Sequence, residues 1–83
     1  MTYTIIWSLS AARTLRDFRE QDPEGVGALR TAIEALADDP RPDGSFPYGP
    51  TYRRLRAGRY RVLYRIEDKE VSVIVLNLAR STP

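Results

Sequence analysis

Between Tyr52 and Ile66 the chain reads Tyr52-Arg53-Arg54-Leu55-Arg56-Ala57-Gly58-Arg59-Tyr60-Arg61-Val62-Leu63-Tyr64-Arg65-Ile66, with six arginines and no acid. The residues between the arginines are the aromatic, β-branched and aliphatic types that fit a pleated, half-buried surface. A chain that must bury these side chains and keep the arginines hydrated is confined to a sheet with one face inward and one outward.

Ala57-Gly58 reads as the tip of a tight hairpin, which sets Arg56 opposite Arg59, Arg54 opposite Arg61 and Tyr52 opposite Leu63. A second tip at Asp68-Lys69 sets Tyr64 opposite Val73, Val62 opposite Val75 and Ile66 opposite Val71. Opposite residues share a face, so this three-stranded meander from Thr51 to Arg80 sorts into two sets. Leu55, Tyr60, Val62, Tyr64, Ile66, Val71, Val73 and Val75 form a core face. Arg54, Arg56, Arg59, Arg61, Arg65 and Arg80 share the other with Leu63, Ile74 and Leu76.

Like charges directly opposite on a sheet oppose folding by a few tenths to about 1 kcal/mol per pair. An anion bound across the face relieves that cost, so the arginine face is a candidate site. The competing reading is a solvated basic surface that only keeps the chain in solution.

Upstream, Thr2 to Trp7 reads as a strand with Tyr3, Ile5 and Trp7 on one side. Ser8 or Ser10 caps a helix to about Arg19, with Leu9, Ala12, Leu15 and Phe18 as its apolar stripe. Asp22 and Pro23 suit the N-cap and first position of a second helix, from about Pro23 to Asp38, buried through Val26, Leu29, Ile33 and Leu36. Four prolines and two glycines between Pro40 and Pro50 predict a stiff loop. Phe46 and Tyr48 are expected to pin that loop to the domain, the alternative being a ring offered to a base.

The order is strand, helix, helix, strand, strand, strand. It predicts an α+β domain over residues 1–83, with a helical hairpin packed on a four-stranded, mostly antiparallel sheet.

Composition narrows the chemistry. There is no cysteine and no histidine, which removes disulfides, thiolate nucleophiles, cysteine zinc sites and the usual neutral-pH base. No apolar run approaches a membrane span and Met1 to Leu9 lacks a basic start, so a cytoplasmic protein without a membrane partner is expected. Residues 1–40 carry four basic and seven acidic side chains, and residues 41–83 carry nine basic and four acidic, so the formal +2 hides a −3 half and a +5 half. Twelve arginines to one lysine suit phosphate recognition, because guanidinium grips phosphate oxygens in pairs; a GC-rich genome also enriches arginine.

Asp39-Pro40-Arg41-Pro42-x-Gly44 before the sheet, the pattern Arg-Leu-Arg-x-Gly-x-Tyr-Arg-Val-x-Tyr from Arg54 to Tyr64, and a valine-rich strand from Val71 together resemble the RelE/ParE superfamily of toxin–antitoxin toxins. The resemblance covers the whole chain. It implies a RelE-like fold, a cognate antitoxin that wraps the basic surface, and either of two activities. RelE-like members are ribosome-dependent endoribonucleases that cut messenger RNA, and ParE-like members poison DNA gyrase. A catalytically silent RNA-binding relative is the third reading.

On the endoribonuclease reading the partners are ribosome and messenger RNA, with a homodimer or a toxin–antitoxin hetero-oligomer also expected, and no cofactor or metal. By resemblance Arg61 matches the family's arginine on the phosphate, Arg54 and Arg56 its basic residues on the preceding strand, and Arg80 the basic position after the last strand. Arg53, Arg59, Arg65 and Tyr48 are expected to contact RNA. RelE-like nucleases usually continue past that last arginine to a Tyr or His used in proton transfer or stacking, whereas this sequence stops at Pro83. Tyr52, Tyr48, Glu67 and Asp68 are possible substitutes. Glu67 and Asp68 sit at the far hairpin tip, which leaves Tyr52.

Overall fold

A computed structural model describes residues 2–81, so Thr82 and Pro83 of the expected C-terminal end lie outside the described residues. Strand β1 spans Thr4–Trp7, helix α1 Leu9–Gln21 and helix α2 Pro23–Glu34, followed by one 3₁₀ turn at Ala35–Ala37. Strands β2 (Ser45–Pro47), β3 (Tyr52–Ala57), β4 (Tyr60–Glu67) and β5 (Ser72–Arg80) complete the chain. The sheet order is β1-β5-β4-β3-β2, with β1 parallel to β5 and the other pairs antiparallel. The α+β class with two helices on a mostly antiparallel sheet is as expected, and β2 raises the strand count from four to five.

Local chemistry sets the helix ends. The Ser8 side chain accepts a hydrogen bond from Ala11 N at 3.1 Å and starts α1. One residue serves both helices at their junction: the Asp22 N–H donates to Phe18 O at 2.8 Å, ending α1, and its carboxylate accepts from Gly25 N at 3.1 Å, starting α2. Pro23 follows where no N–H is needed. A Cβ on Gly25 would run into the Asp22 carboxylate, which explains a glycine inside a first turn.

The core lies between the helices and one sheet face. Val26, Leu29, Ile33 and Leu36 are buried as expected, whereas the buried stripe of α1 is Ala11 with Leu15 and Phe18 packed beside it. Leu9, the first residue of the helix, is 66% exposed, and Ala11 two residues on is the one that is buried. From the sheet come Leu55, Tyr60, Val62, Tyr64, Ile66, Val73, Val75 and Leu78. Val71 is not among them. It stands in the Asp68–Val71 turn at φ +49°, outside the strand where a regular hairpin would have kept it.

Three pairing details differ from the expected meander. The second turn is longer than Asp68-Lys69, so Tyr64 pairs with Val75, Ile66 with Val73 and Val62 with Leu78, in place of Val73, Val71 and Val75. The other two decide what each face holds. The β3–β4 turn is Gly58-Arg59, not Ala57-Gly58: Ala57 pairs with Tyr60, Arg56 with Arg61, Arg54 with Leu63 and Tyr52 with Arg65. Gly58 has φ +61°, the sign a type II′ turn requires at its first central position. Between β4 and β5, Tyr64 pairs with Val75 but Leu63 with Asn77, so Leu76 is an extra residue in a β-bulge. Beyond the bulge the alternation is inverted: Leu78 and Arg80 join the helix side, and Asn77 and Ala79 the outer side.

Candidate functional site

The outer face of β3 and β4 carries Arg54, Arg56, Arg61 and Arg65, the first three without an acidic partner. Arg56 and Arg61 are directly opposite each other, and Arg54 is two residues along β3. Arg61 Nη2 donates to Ser81 Oγ at 3.2 Å, which orients it across the sheet. Among the described residues no carboxylate lies within salt-bridge distance of Arg54, Arg56 or Arg61, although Arg30, Arg41, Arg59 and Arg65 all have one. Arg54, Arg56 and Arg61 thus form a cluster of arginines on one sheet face without a carboxylate beside them.

Strand β2 walls this cluster with rings. Phe46 pairs with Arg54, and the Tyr48 N–H donates to Tyr52 O at 2.8 Å, continuing the ladder one step past Pro47. Both side chains therefore stand on the arginine side of the sheet. The Arg54 guanidinium lies 5.3 Å from the centre of the Tyr48 ring, within cation–π range. Phe46, Tyr48, Arg54, Arg56 and Arg61 line an open groove of about 390 Å³, and Tyr48, Arg54 and Arg61 also border a hollow of about 200 Å³ reaching Asn77 and Ala79.

The two rings do not pin the Pro40–Pro50 segment to the core, as Phe46 is 68% and Tyr48 52% exposed. The segment is held instead by Tyr64 Oη donating to Pro40 O at 2.7 Å, by Ser45 Oγ donating to Pro42 O at 2.7 Å, and by pairing with β3.

Other residues expected at the site are elsewhere. Arg80 is on the helix side, inverted by the bulge, with its guanidinium 4.7 Å from the Phe18 ring centre and Nη1 2.9 Å from Gln21 Oε1. Arg53 also faces the helix side and donates to Ser45 Oγ from Nε at 3.1 Å and from Nη2 at 2.9 Å. Arg59, in the turn rather than on the strand, forms a 3.2 Å ion pair with Asp22. Arg65 remains on the outer face, its Nε 2.7 Å from Glu67 Oε1 without the alignment of a hydrogen bond. Tyr52 is opposite Arg65, on the outer face but outside the groove.

Two clusters away from the groove carry the perturbed ionisations. Asp22 has its pKa lowered, first by the Tyr60 hydroxyl donating to it and then by the Gly25 N–H. Asp68 is lowered chiefly by Arg41, which forms a 2.9 Å ion pair with it, and next by the Tyr3 hydroxyl, whose own pKa rises. Among the described residues no group of three or more acidic, histidine or cysteine side chains is placed to hold a metal, and no helix is long and apolar enough to cross a membrane. The groove can attract and orient a polyanion with an aromatic component. Arginine holds its proton at any physiological pH, so the cluster stabilises charge rather than transferring protons.

The class of protein is that of toxins of type II toxin–antitoxin systems, as the match of almost the whole chain to one family model shows. Residues 5–81 match the model of the ParE toxin of type II toxin–antitoxin systems, parDE, and the chain belongs to that family. No curated protein matches it. Among solved structures, the RelBE2 toxin–antitoxin complex from Mycobacterium tuberculosis is similar at TM-score 0.84 and 24% identity, over 100% of this chain and 95% of that one. The YoeB/ParE toxin from Agrobacterium tumefaciens gives 0.79 and 18% over 95% and 99%, and a chromosomal ParDE system from P. aeruginosa 0.78 and 16% over 98% and 98%. At these identities the likeness establishes the shared fold.

Proposed function

We propose that this type II toxin is a ribosome-dependent endoribonuclease that binds messenger RNA across Arg54, Arg56 and Arg61. The observation that carries the reading is the Arg56–Arg61 pair, two like charges face to face with no carboxylate beside them among the described residues. Such an arrangement opposes folding and favours a bound phosphate.

In metal-independent cleavage the 2′-oxygen attacks the adjacent phosphorus while the bond to the 5′-oxygen breaks, leaving a 2′,3′-cyclic phosphate and a 5′-hydroxyl. Negative charge accumulates on the non-bridging oxygens in the transition state, and the guanidinium groups of Arg54, Arg56 and Arg61 stabilise it there more than in the ground state. The 2′-hydroxyl proton must leave and the 5′-oxygen must gain one. In this reading the ribosome, which also positions the strand, supplies groups for that exchange. An antitoxin with an acidic segment would silence the toxin by covering the same face, as suits a fold shared with chains solved in toxin–antitoxin complexes.

Primer extension on messenger RNA with and without ribosomes tests the proposal. Cuts that need ribosomes and fall by about 100-fold or more in Arg61→Ala are expected. A gyrase-inhibiting toxin is the second reading, favoured by a groove with no carboxylate or histidine among its lining residues. Loss of gyrase supercoiling by a toxin that makes no cuts would establish it.

A further inference from the structure

Phe46, on β2, and Tyr48, one residue past its end, are large rings more than half exposed, Tyr48 having the Arg54 guanidinium 5.3 Å from its ring centre and its remaining surface in water. Exposing an aromatic side chain forgoes the burial that normally places it inside, so two on one side of one short strand call for an occupant. Both are held by backbone rather than by a loose loop: Phe46 is paired with Arg54, and the Tyr48 N–H is bonded to Tyr52 O at 2.8 Å. Residues two apart on a strand are separated by about 6.6 Å along it, and their side chains stand roughly perpendicular to the sheet. That gap is close to the two contacts of about 3.5 Å that a flat ring makes when another ring lies on each side. The groove they border contains Arg54, Arg56 and Arg61, so whatever enters has an anionic part beside its flat part.

We propose that Phe46 and Tyr48 form the two walls of a slot for one nucleobase of a single-stranded RNA, whose flanking phosphates lie on Arg54, Arg56 and Arg61. The proposal rests on the RNA-binding reading of the arginine face and adds the element that recognises the base. Charge complementarity selects the occupant. An acidic peptide would satisfy the arginines alone, whereas a nucleotide satisfies arginines and rings together. Stacking is tolerant of sequence because every base has a π-face, so the slot holds the strand in register without reading it.

The test is fluorescence anisotropy with a labelled adenosine hexanucleotide RNA and a hexamer of the same ribose–phosphate backbone lacking bases. The wild-type chain should prefer the base-carrying strand by about 5- to 100-fold. Phe46→Ala and Tyr48→Ala should each reduce that preference without altering the salt dependence, and Tyr48→Phe should keep it. Arg56→Ala should do the reverse, leaving the preference and lowering the salt slope by about 0.7. Thermal melts check that the aromatic variants fold. Equal binding of the two strands by the wild type, no binding of either, or wild-type preference in both alanine variants overturns the slot. Base preference in a toxin that makes no ribosome-dependent cuts supports the slot and overturns the endoribonuclease. Ribosome-dependent cuts with no base preference do the opposite.

Discussion

The Tyr60 hydroxyl donates a 2.7 Å hydrogen bond to Asp22 Oδ2, joining the start of β4 to the junction between the two helices. The same carboxylate caps α2 through Gly25 N and pairs with Arg59 at 3.2 Å. One side chain thus closes the helical hairpin onto the β3–β4 turn.

Asp22→Asn should therefore lower the melting temperature by several degrees, since a neutral amide still caps the helix but loses the ion pair and the charge-assisted bond. The pH dependence has a definite sign. A carboxylate with a lowered pKa binds fewer protons folded than unfolded, so its stabilisation is complete above the ordinary aspartate value near 4 and fades as pH falls below it. Asp68 acts in the same direction through Arg41 and Tyr3. The difference between wild type and Asp22→Asn should narrow as melts are taken from pH 7 down to pH 3. Parallel curves would show that the charge is not what Asp22 contributes.

Opposing arginines predict the reverse of an ordinary mutation. Arg56→Thr removes one member of the Arg56–Arg61 pair and places a strand-favouring residue on β3, so it should stabilise the free toxin by roughly 0.2–1 kcal/mol. The gain should shrink with added salt, which screens the repulsion, and RNA binding should weaken at the same time. Urea titration at low and high ionic strength reads the first effect and anisotropy the second. A destabilised Arg56→Thr would mean that the pair is not strained in the free protein.

Val62 is fully buried and pairs with Leu55 and Leu78. Val62→Asp should place an unpaired carboxylate there at a cost of several kcal/mol, comparable to the whole stability of a domain this small. Circular dichroism at neutral pH should show loss of the folded state. A native spectrum and melt would mean that this face is not the core.

The faces were legible from sequence to different depths, for a geometric reason. Moving the first turn from Ala57-Gly58 to Gly58-Arg59 shifts the pairing by two residues, and side chains alternate with period two, so Leu55, Val62 and Tyr64 stay inward and Arg54, Arg56 and Arg61 outward. A single inserted residue has the opposite effect. The bulge at Leu76 leaves no mark in the apolar pattern Val73, Val75, Leu76, Leu78, yet it inverts everything after it and removes Arg80 from the arginine face. Strand β2 was hidden by its prolines: Pro47 is tolerated because β2 is an edge strand. The alternation Phe46-x-Tyr48 was the signal available for it. Charge alone does not separate Arg53 and Arg59 from the arginines of the groove, because what sets them apart is their partners, Ser45 at a separation of 8 residues and Asp22 at 37.

Arg80 gives the sharpest contrast between position in sequence and position in space. Its guanidinium stacks on Phe18 and bonds Gln21, tying the end of β5 to the last turns of α1. Arg80→Ala loses a cation–π contact of about 0.5–1 kcal/mol and a hydrogen bond of about the same size. For a domain of this length that is a fall of roughly 4–15 °C in melting temperature. Affinity for single-stranded RNA, measured below that melting point, should be unchanged, because the side chain is on the opposite side of the sheet from Arg54, Arg56 and Arg61. Arg61→Ala should show the converse, a nearly unchanged melt with lost binding. If Arg80→Ala instead keeps its melting temperature and loses RNA affinity, β5 in the working toxin carries Arg80 on the outer face and the Leu76 bulge is not part of that state.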